Sequence, residues 1–283
     1  MTQPVVNALT IDVEDYFQVS AFEGHITRSS WNTLPCRVER NTDRILQMLD
    51  DAAARATFFT LGWVAERYPG LVRRIVDGGH ELASHGYEHL RVHTQTPEQF
   101  RCDADRTKKL LEDIGCCPVR GYRAASYSIG ANNLWALDTL KEVGYEYSSS
   151  IYPIRHDLYG MPEAPRFAFR HRSDGILEIP ITTVEFMSRT LPSGGGGYFR
   201  LFPYALSRWL IQRVNGRERQ SAIFYFHPWE LDPEQPRQKG LPLRTRVRHY
   251  LNLGRMEGRL QRLLRDFSWD RVDCIFIPEE AEV

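Results

Sequence analysis

The chain has 283 residues, 42% of them hydrophobic, which is enough for a full-sized core and within the range of one α/β barrel. Lysine plus arginine equals aspartate plus glutamate at 36 each, so there is no global field to hold a polyanion, and nucleic acid is set aside as a partner. No run of about 18 apolar residues occurs, and MTQPVVNALTIDVEDYF has no basic segment followed by an apolar one, so a soluble, cytoplasmic protein without a transmembrane segment is expected.

In chain order, ALTIDV (8–13) is short and β-branched and predicts a first strand. Arg37 to Ala54 carries Val38, Ile45, Leu46 and Leu49 at helical spacing, and ATFFTLG (56–62) reads as a second strand. Leu71, Val72, Ile75 and Val76 share a helical face that Gly78-Gly79 ends, and HELASH (80–85) predicts a buried strand. Thr96-Pro97-Glu98-Gln99 has capping-box spacing with proline at the first helical position, opening a helix to about Ile114. VRGYRAASYS (119–128) reads as strand then loop, Asn132 to Val143 as a helix, and ILEIPI (176–181) and AIFYFH (222–227) as two further strands. Strands separated by helices of this length pair in parallel, and several such units favour a barrel. Gly194 to Gly197 lacks the Gly-Lys-Ser/Thr ending of a phosphate loop and predicts a mobile loop at the rim. Beyond residue 204, Val247, Leu251, Leu260, Leu263 and Leu264 among many arginines predict amphipathic helices packed on the barrel. The five cysteines, Cys36, Cys102, Cys116, Cys117 and Cys274, form no Cys-x-x-Cys pair and suit a reducing compartment.

Polar residues gather at the carboxyl ends of these strands: Asp12, Glu14 and Asp15, then His85 and His89, then Arg123, then His227. In a parallel barrel those ends meet around one mouth. Taken singly, a carboxylate after a strand is commonly a helix cap, and two histidines four apart are commonly surface residues. Together, two imidazoles and a carboxylate suit a divalent metal such as zinc, while Asp12 and His227 are available as base and acid for hydrolysis. The i, i+4 spacing of His85 and His89 predicts one helical turn that projects both to the same side. Strand alternation places Asp12 and Glu14 together and turns Asp15 away.

TIDVED, SHGYEH, YRAAS and FYFH, in this order from about Ala8 to His227, resemble the motifs of the polysaccharide deacetylases of the NodB-homology class, carbohydrate esterase family 4. The resemblance implies a distorted (β/α) barrel that removes N-acetyl groups from sugars by metal-assisted hydrolysis. It implies metal binding by His85 and His89, a general base in Asp12 and a general acid in His227. The first motif departs from the usual Thr-Phe-Asp-Asp-Gly, with Val13 in the place of the metal-binding aspartate. By the Asp-x-Asp pattern of a subgroup that resembles intracellular-type peptidoglycan deacetylases, Glu14 is the ligand and Asp15 its rival. In the third motif Arg123 is implied to pair with Asp12, and the backbone N–H of Ser126 to help hold the oxyanion. Phe224 stands where a leucine commonly lines the acetyl-methyl pocket. Asp157 lies in the region of the aspartate that orients the catalytic histidine, at a different spacing, and that role stays open.

SSSIYPIRHDLYG, SGGGGYFRLFPY and FYFHPWELDPEQPR are similar to deacetylases associated with bacterial exopolysaccharide export and protein sorting. That implies an N-acetylhexosamine in an exopolysaccharide or its precursor as substrate. Residues 1–230 are expected to form the barrel and 231–283 an extension packed on it. Two other readings share these residues: an amidohydrolase acting on a small cyclic amide, as in allantoinase-like relatives, and a non-catalytic carbohydrate-binding protein.

Overall fold

A computed structural model describes residues 5–156, 159–187 and 189–277. The first half alternates β1 (Val6–Val13), α1 (Val38–Asp51), β2 (Thr57–Thr60), α2 (Gly62–Arg67), α3 (Pro69–Asp77) and β3 (Glu81–Ser84). It continues with α4 (Pro97–Gly115), β4 (Gly121–Tyr122), α5 (Trp135–Val143) and β5 (Tyr147–Ser148). The second half holds β6 (Phe169–Arg170), β7 (Leu177–Glu178), the hairpin of β8 (Thr183–Phe186) and β9 (Arg189–Pro192), α6 (Gly196–Leu201) and α7 (Tyr204–Arg213). It ends with β10 (Ile223–Phe226), α8 (Leu243–Tyr250), α9 (Leu253–Asp266), β11 (Ser268–Asp270) and α10 (Val272–Phe276).

The main sheet runs β10-β1-β2-β3-β4-β5-β7-β6, with β11 also pairing β1, and every pair in it is parallel except β6 with β7. The two ends of this path curl toward each other into a distorted barrel. Tyr225 on β10 donates its N–H to Gly194, Ile223 donates to the Thr182 hydroxyl, and Ile181 donates to Ile151, so irregular chain spans the gap that strands leave.

Alternation along the strands sorts side chains into two layers. Leu9, Ile11, Val13, Phe58, Phe224 and Phe226 face outward and pack against α1, α3, α7 and α9. Ala8, Phe59, Ala83, Tyr147 and Tyr225 face the barrel interior. The expected start of α4 and end of α3 hold, since Thr96 and Gln99 form both bonds of the capping box and Gly79, at φ +75°, follows α3, whereas α5 begins at Trp135 and not at Asn132. In the carboxyl-terminal region Met256, Leu260, Leu263 and Leu264 of α9 are buried as the amphipathic pattern predicts, whereas Val247 of α8 is 51% exposed. The glycine run is a correction. Residues 194–196 are buried rather than mobile, because a Cβ on Gly194 would stand 2.3 Å from the Ile223 carbonyl and one on Gly196 2.4 Å from Glu230 Oε1.

Candidate active site

Asp12 is the last inward-facing residue of β1, and Arg123 follows β4, so the sheet brings them together at the carboxyl end of the barrel. Arg123 is fully buried and donates from Nη1 to Asp12 Oδ1 at 2.6 Å and to the Thr10 hydroxyl at 2.8 Å. Its Nε and Nη2 donate to the Ser149 carbonyl and hydroxyl, and its Cζ stands 4.0 Å over the Phe59 ring. A buried cation with its donors met in this way holds a carboxylate in one place. Tyr127 donates to the other oxygen of Asp12 at 3.3 Å. Burial pushes the Asp12 carboxyl up, but Arg123, His85 and His227 outweigh it and hold it below the usual carboxylate range.

Glu14 sits just past β1, where its N–H returns to the Asp12 carbonyl at 3.0 Å, and His85 sits just past β3. The expected helical turn from His85 to His89 is overturned. The segment is a loop with Gly86 at φ +73° and His89 at φ +55°, and this backbone reversal, not helical periodicity, turns both rings to one place. A donor atom from each of Glu14, His85 and His89 lies within 4.8 Å of the other two, and all three residues are buried. His89 Nε2 is 3.0 Å from Glu14 Oε2. His85 Nδ1 bonds the Arg123 carbonyl at 2.8 Å, which directs the lone pair of Nε2 toward the cluster. Glu14 Oε2 and His89 Nδ1 are buried without a hydrogen-bond partner. Burial lowers the basicity of both imidazoles and raises the Glu14 carboxyl to about 7. Two neutral imidazoles beside a carboxylate oxygen that lacks a hydrogen bond fit a divalent cation.

Asp15 is placed elsewhere. Its Oδ2 accepts from the backbone N–H of Val38 at 2.8 Å and of Arg37, donors at the start of α1 that have no partner within the helix, and its Oδ1 accepts from Tyr16. It caps a helix and takes no part in the Glu14, His85 and His89 cluster.

His227 follows β10 and reaches Asp12 from the opposite side, with Nε2 3.8 Å from Asp12 Oδ2 and 3.5 Å from Glu14 Oε1. Its Nδ1 bonds Glu230 Oε1 at 2.8 Å, and Glu230 Oε2 accepts from Arg200 Nε at 2.6 Å, both partners being buried. Arg200 in turn donates to the His249 and Leu251 carbonyls. Burial raises the Glu230 carboxyl, yet Arg200 and His227 bring it down to about 2. Burial disfavours the His227 cation, yet Glu230, Glu14 and Asp12 raise it to about 9. Trp229 stacks between His227 and His249, at 5.1 and 4.3 Å between ring centroids, and donates to Glu14 Oε1.

A cavity of about 170 Å³ opens over these groups, with Ser126, Tyr127, Tyr159 and Tyr225 among its walls. Ser126 and Tyr127 both have left-handed backbone, φ +54° and +51°, and the Ser126 hydroxyl bonds that of Ser20. Phe224 is a further correction: it faces outward into the core against Phe199 and Trp269, and strand alternation gives its neighbour Tyr225 to the cavity. Asp157 lies outside the described residues. The partner of His227 that sequence reasoning left open is Glu230. The His-x-x-Glu spacing after a strand was its local sign, while Arg200, Trp229 and Tyr225 left none.

Residues 28–148 match the family model described as polysaccharide deacetylase, and residues 149–277 match one described as a domain of unknown function (DUF3473). The two matches divide the site: His85, His89 and Arg123 lie in the first, and Arg200, His227 and Glu230 in the second. A peptidoglycan-N-acetylglucosamine deacetylase of Bacillus cereus is 31% identical over 98 residues, 34% of this chain and 36% of that protein. A chitooligosaccharide deacetylase of Azorhizobium caulinodans is 29% identical over 104 residues, 36% of this chain and 48% of that one. The chain thus spans half or less of the length of these curated relatives. A structure from Mycobacterium smegmatis, assigned as a polysaccharide deacetylase, superimposes with a TM-score of 0.60 at 17% identity, covering 97% of this chain and 92% of that one, and so shares the fold. The match covers the strands and helices that carry His85, His89 and Arg123: residues 28–148 belong to the polysaccharide deacetylase family, and the chain shares the fold of the Mycobacterium smegmatis structure.

Proposed function

We propose that the protein is a metal-dependent hydrolase that removes N-acetyl groups from N-acetylhexosamine units of a bacterial exopolysaccharide or its precursor, with zinc as the metal. The observation that carries this reading is the buried cluster of Glu14, His85 and His89 beside Asp12 and His227 in one cavity. The names of the curated relatives, which specify peptidoglycan N-acetylglucosamine and chitooligosaccharides, support an N-acetylated saccharide.

Glu14, His85 and His89 would hold the cation, which when bound polarises an amide carbonyl and acidifies water. Asp12, kept ionised by Arg123, takes the proton of the attacking water. His227, held through Nδ1 by Glu230, points Nε2 into the cavity and gives a proton to the departing amine. The Ser126 backbone N–H serves as a donor to the oxyanion, a task that needs no particular side chain. Tyr225 and Tyr127 wall the space left for the acetyl group and the sugar ring. Residues 1–230 act as the catalytic barrel, and 231–283 as an extension whose α9 packs on it. Five free cysteines support work in a reducing compartment such as the cytoplasm.

No helix among the described residues is long and apolar enough to cross a membrane. The test is metal content of the purified protein together with acetate release from a panel of N-acetylated oligosaccharides. Bound metal and released acetate are expected; absence of both overturns the reading.

A further inference from the structure

The catalytic cavity continues into a second cavity of about 520 Å³, and His156, Tyr159, Gly197, Tyr225 and Arg248 belong to the walls of both. The far wall of this second space is aliphatic. Leu201 of α6 with Leu243 and Val247 of α8 line it, and they are 54%, 72% and 51% exposed. Large aliphatic side chains gathered at a binding cleft mark a surface that something apolar covers. Sugar hydroxyls do not suit that wall, because it offers them no hydrogen bonds in exchange for water. A third cavity of about 620 Å³, which shares Tyr127 and Tyr159 with the catalytic one, has the opposite character, with Gln95, Ser128, Asn132 and Asn133 among its walls.

Charge accompanies the apolar wall. Leu243 to Tyr250 reads LRTRVRHY, basic and without an acidic residue, and Arg244 and Arg248 line the same space. Guanidinium groups beside an aliphatic groove match a phosphate joined to an apolar chain.

We propose that the substrate is a sugar linked through phosphate to a long apolar chain, with the sugar in the catalytic cavity, the phosphate by Arg244 and Arg248, and the chain along Leu201, Leu243 and Val247. The sugar's N-acetyl group rests on the deacetylase reading; the groove for the chain does not. A soluble oligosaccharide would leave the apolar wall uncovered, whereas this conjugate covers it and fills the space continuous with the catalytic groups.

The test uses the full chain and three probes: N-acetylglucosaminyl diphosphate bearing a farnesyl chain, the same diphosphate without the chain, and a chitotriose. Calorimetric affinities should favour the farnesyl conjugate over the chainless diphosphate by about tenfold or more, as burial of several methylenes requires. A Leu243→Asp, Val247→Asp double variant should lose that preference, and since both side chains are exposed, its thermal midpoint should match the wild type. Arg244→Gln should weaken both diphosphates several-fold. Equal affinity for the two diphosphates overturns the proposal, as does a preference that survives in the double variant. Acetate release is followed on the same probes. If no probe yields acetate while the farnesyl preference stands, the deacetylase reading falls and the groove remains.

Discussion

On one side of the cavity, Glu14, His85 and His89 bring three donors within 4.8 Å, and both Glu14 Oε2 and His89 Nδ1 are buried without a hydrogen bond. On the other side, His227, Glu230 and Arg200 form a chain in which each buried charge meets an opposite one and Arg200 ends on backbone carbonyls. The first side has the donor set proposed above to hold a cation; the second is complete as it stands. Unsatisfied buried polar groups cost stability, so the first side should respond to metal and the second should not.

The largest effect expected is loss of the cation itself. Glu14→Gln, His85→Ala and His89→Ala should each lose metal and activity together, and metal titration should stop raising their thermal stability. In the wild type a cation at a hundredfold its dissociation constant should add about 2.7 kcal/mol, read as a shift in thermal midpoint. Full metal occupancy in the two histidine variants would return this loop to a structural role.

Next in size are Asp12 and His227, the two groups proposed to move protons. Asp12→Asn and His227→Ala should keep metal and lose roughly a hundredfold to ten-thousandfold in turnover, the usual scale of acid–base assistance. Turnover that barely changes in His227→Ala with an amide substrate would assign the acid elsewhere.

Perturbing the support of His227 should cost less activity but more fold. Glu230→Gln leaves Arg200 charged and buried without its partner, which costs about 3–5 kcal/mol of stability. Gly196→Ala places a methyl against Glu230 Oε1 and should lower turnover with a stability cost of about 1–3 kcal/mol. Both variants should retain metal. Depletion of metal in Gly196→Ala would show that the two sides of the cavity are mechanically linked.

This division follows what the sequence made legible. The strand at TIDV, the capping box at Thr96 and the arrival of Asp12, His85, Arg123 and His227 at one end of the sheet all rest on local signals, namely periodicity, turn residues and strand direction. Glu14 was chosen by strand alternation, although β1 ends at Val13 and a tight turn carries Glu14 inward. The His85 loop escaped because left-handed backbone at His89 is set by its surroundings and not by residue type. Phe224 rests on the motif resemblance alone, and counting back by twos from His227 gives the cavity face to Tyr225 instead. Arg200 and the glycine run were illegible for a different reason. Their partner Glu230 lies 30 residues away, and a close approach between distant segments has no periodic trace.

Asp15 separates local from convergent roles most sharply, because it adjoins Glu14 and is equally buried. Its carboxylate accepts from Tyr16, Arg37 and Val38, so it closes the first turn of α1 instead of facing the histidines. An asparagine there keeps one acceptor oxygen and loses the other. Asp15→Asn should therefore cost about 1 kcal/mol, the ordinary value of a helix cap, measured by denaturant unfolding. Metal occupancy should be unchanged, in contrast to Glu14→Gln next to it. A metal-depleted Asp15→Asn beside a metal-replete Glu14→Gln would exchange the roles of the two carboxylates while leaving His85, His89 and the base in place.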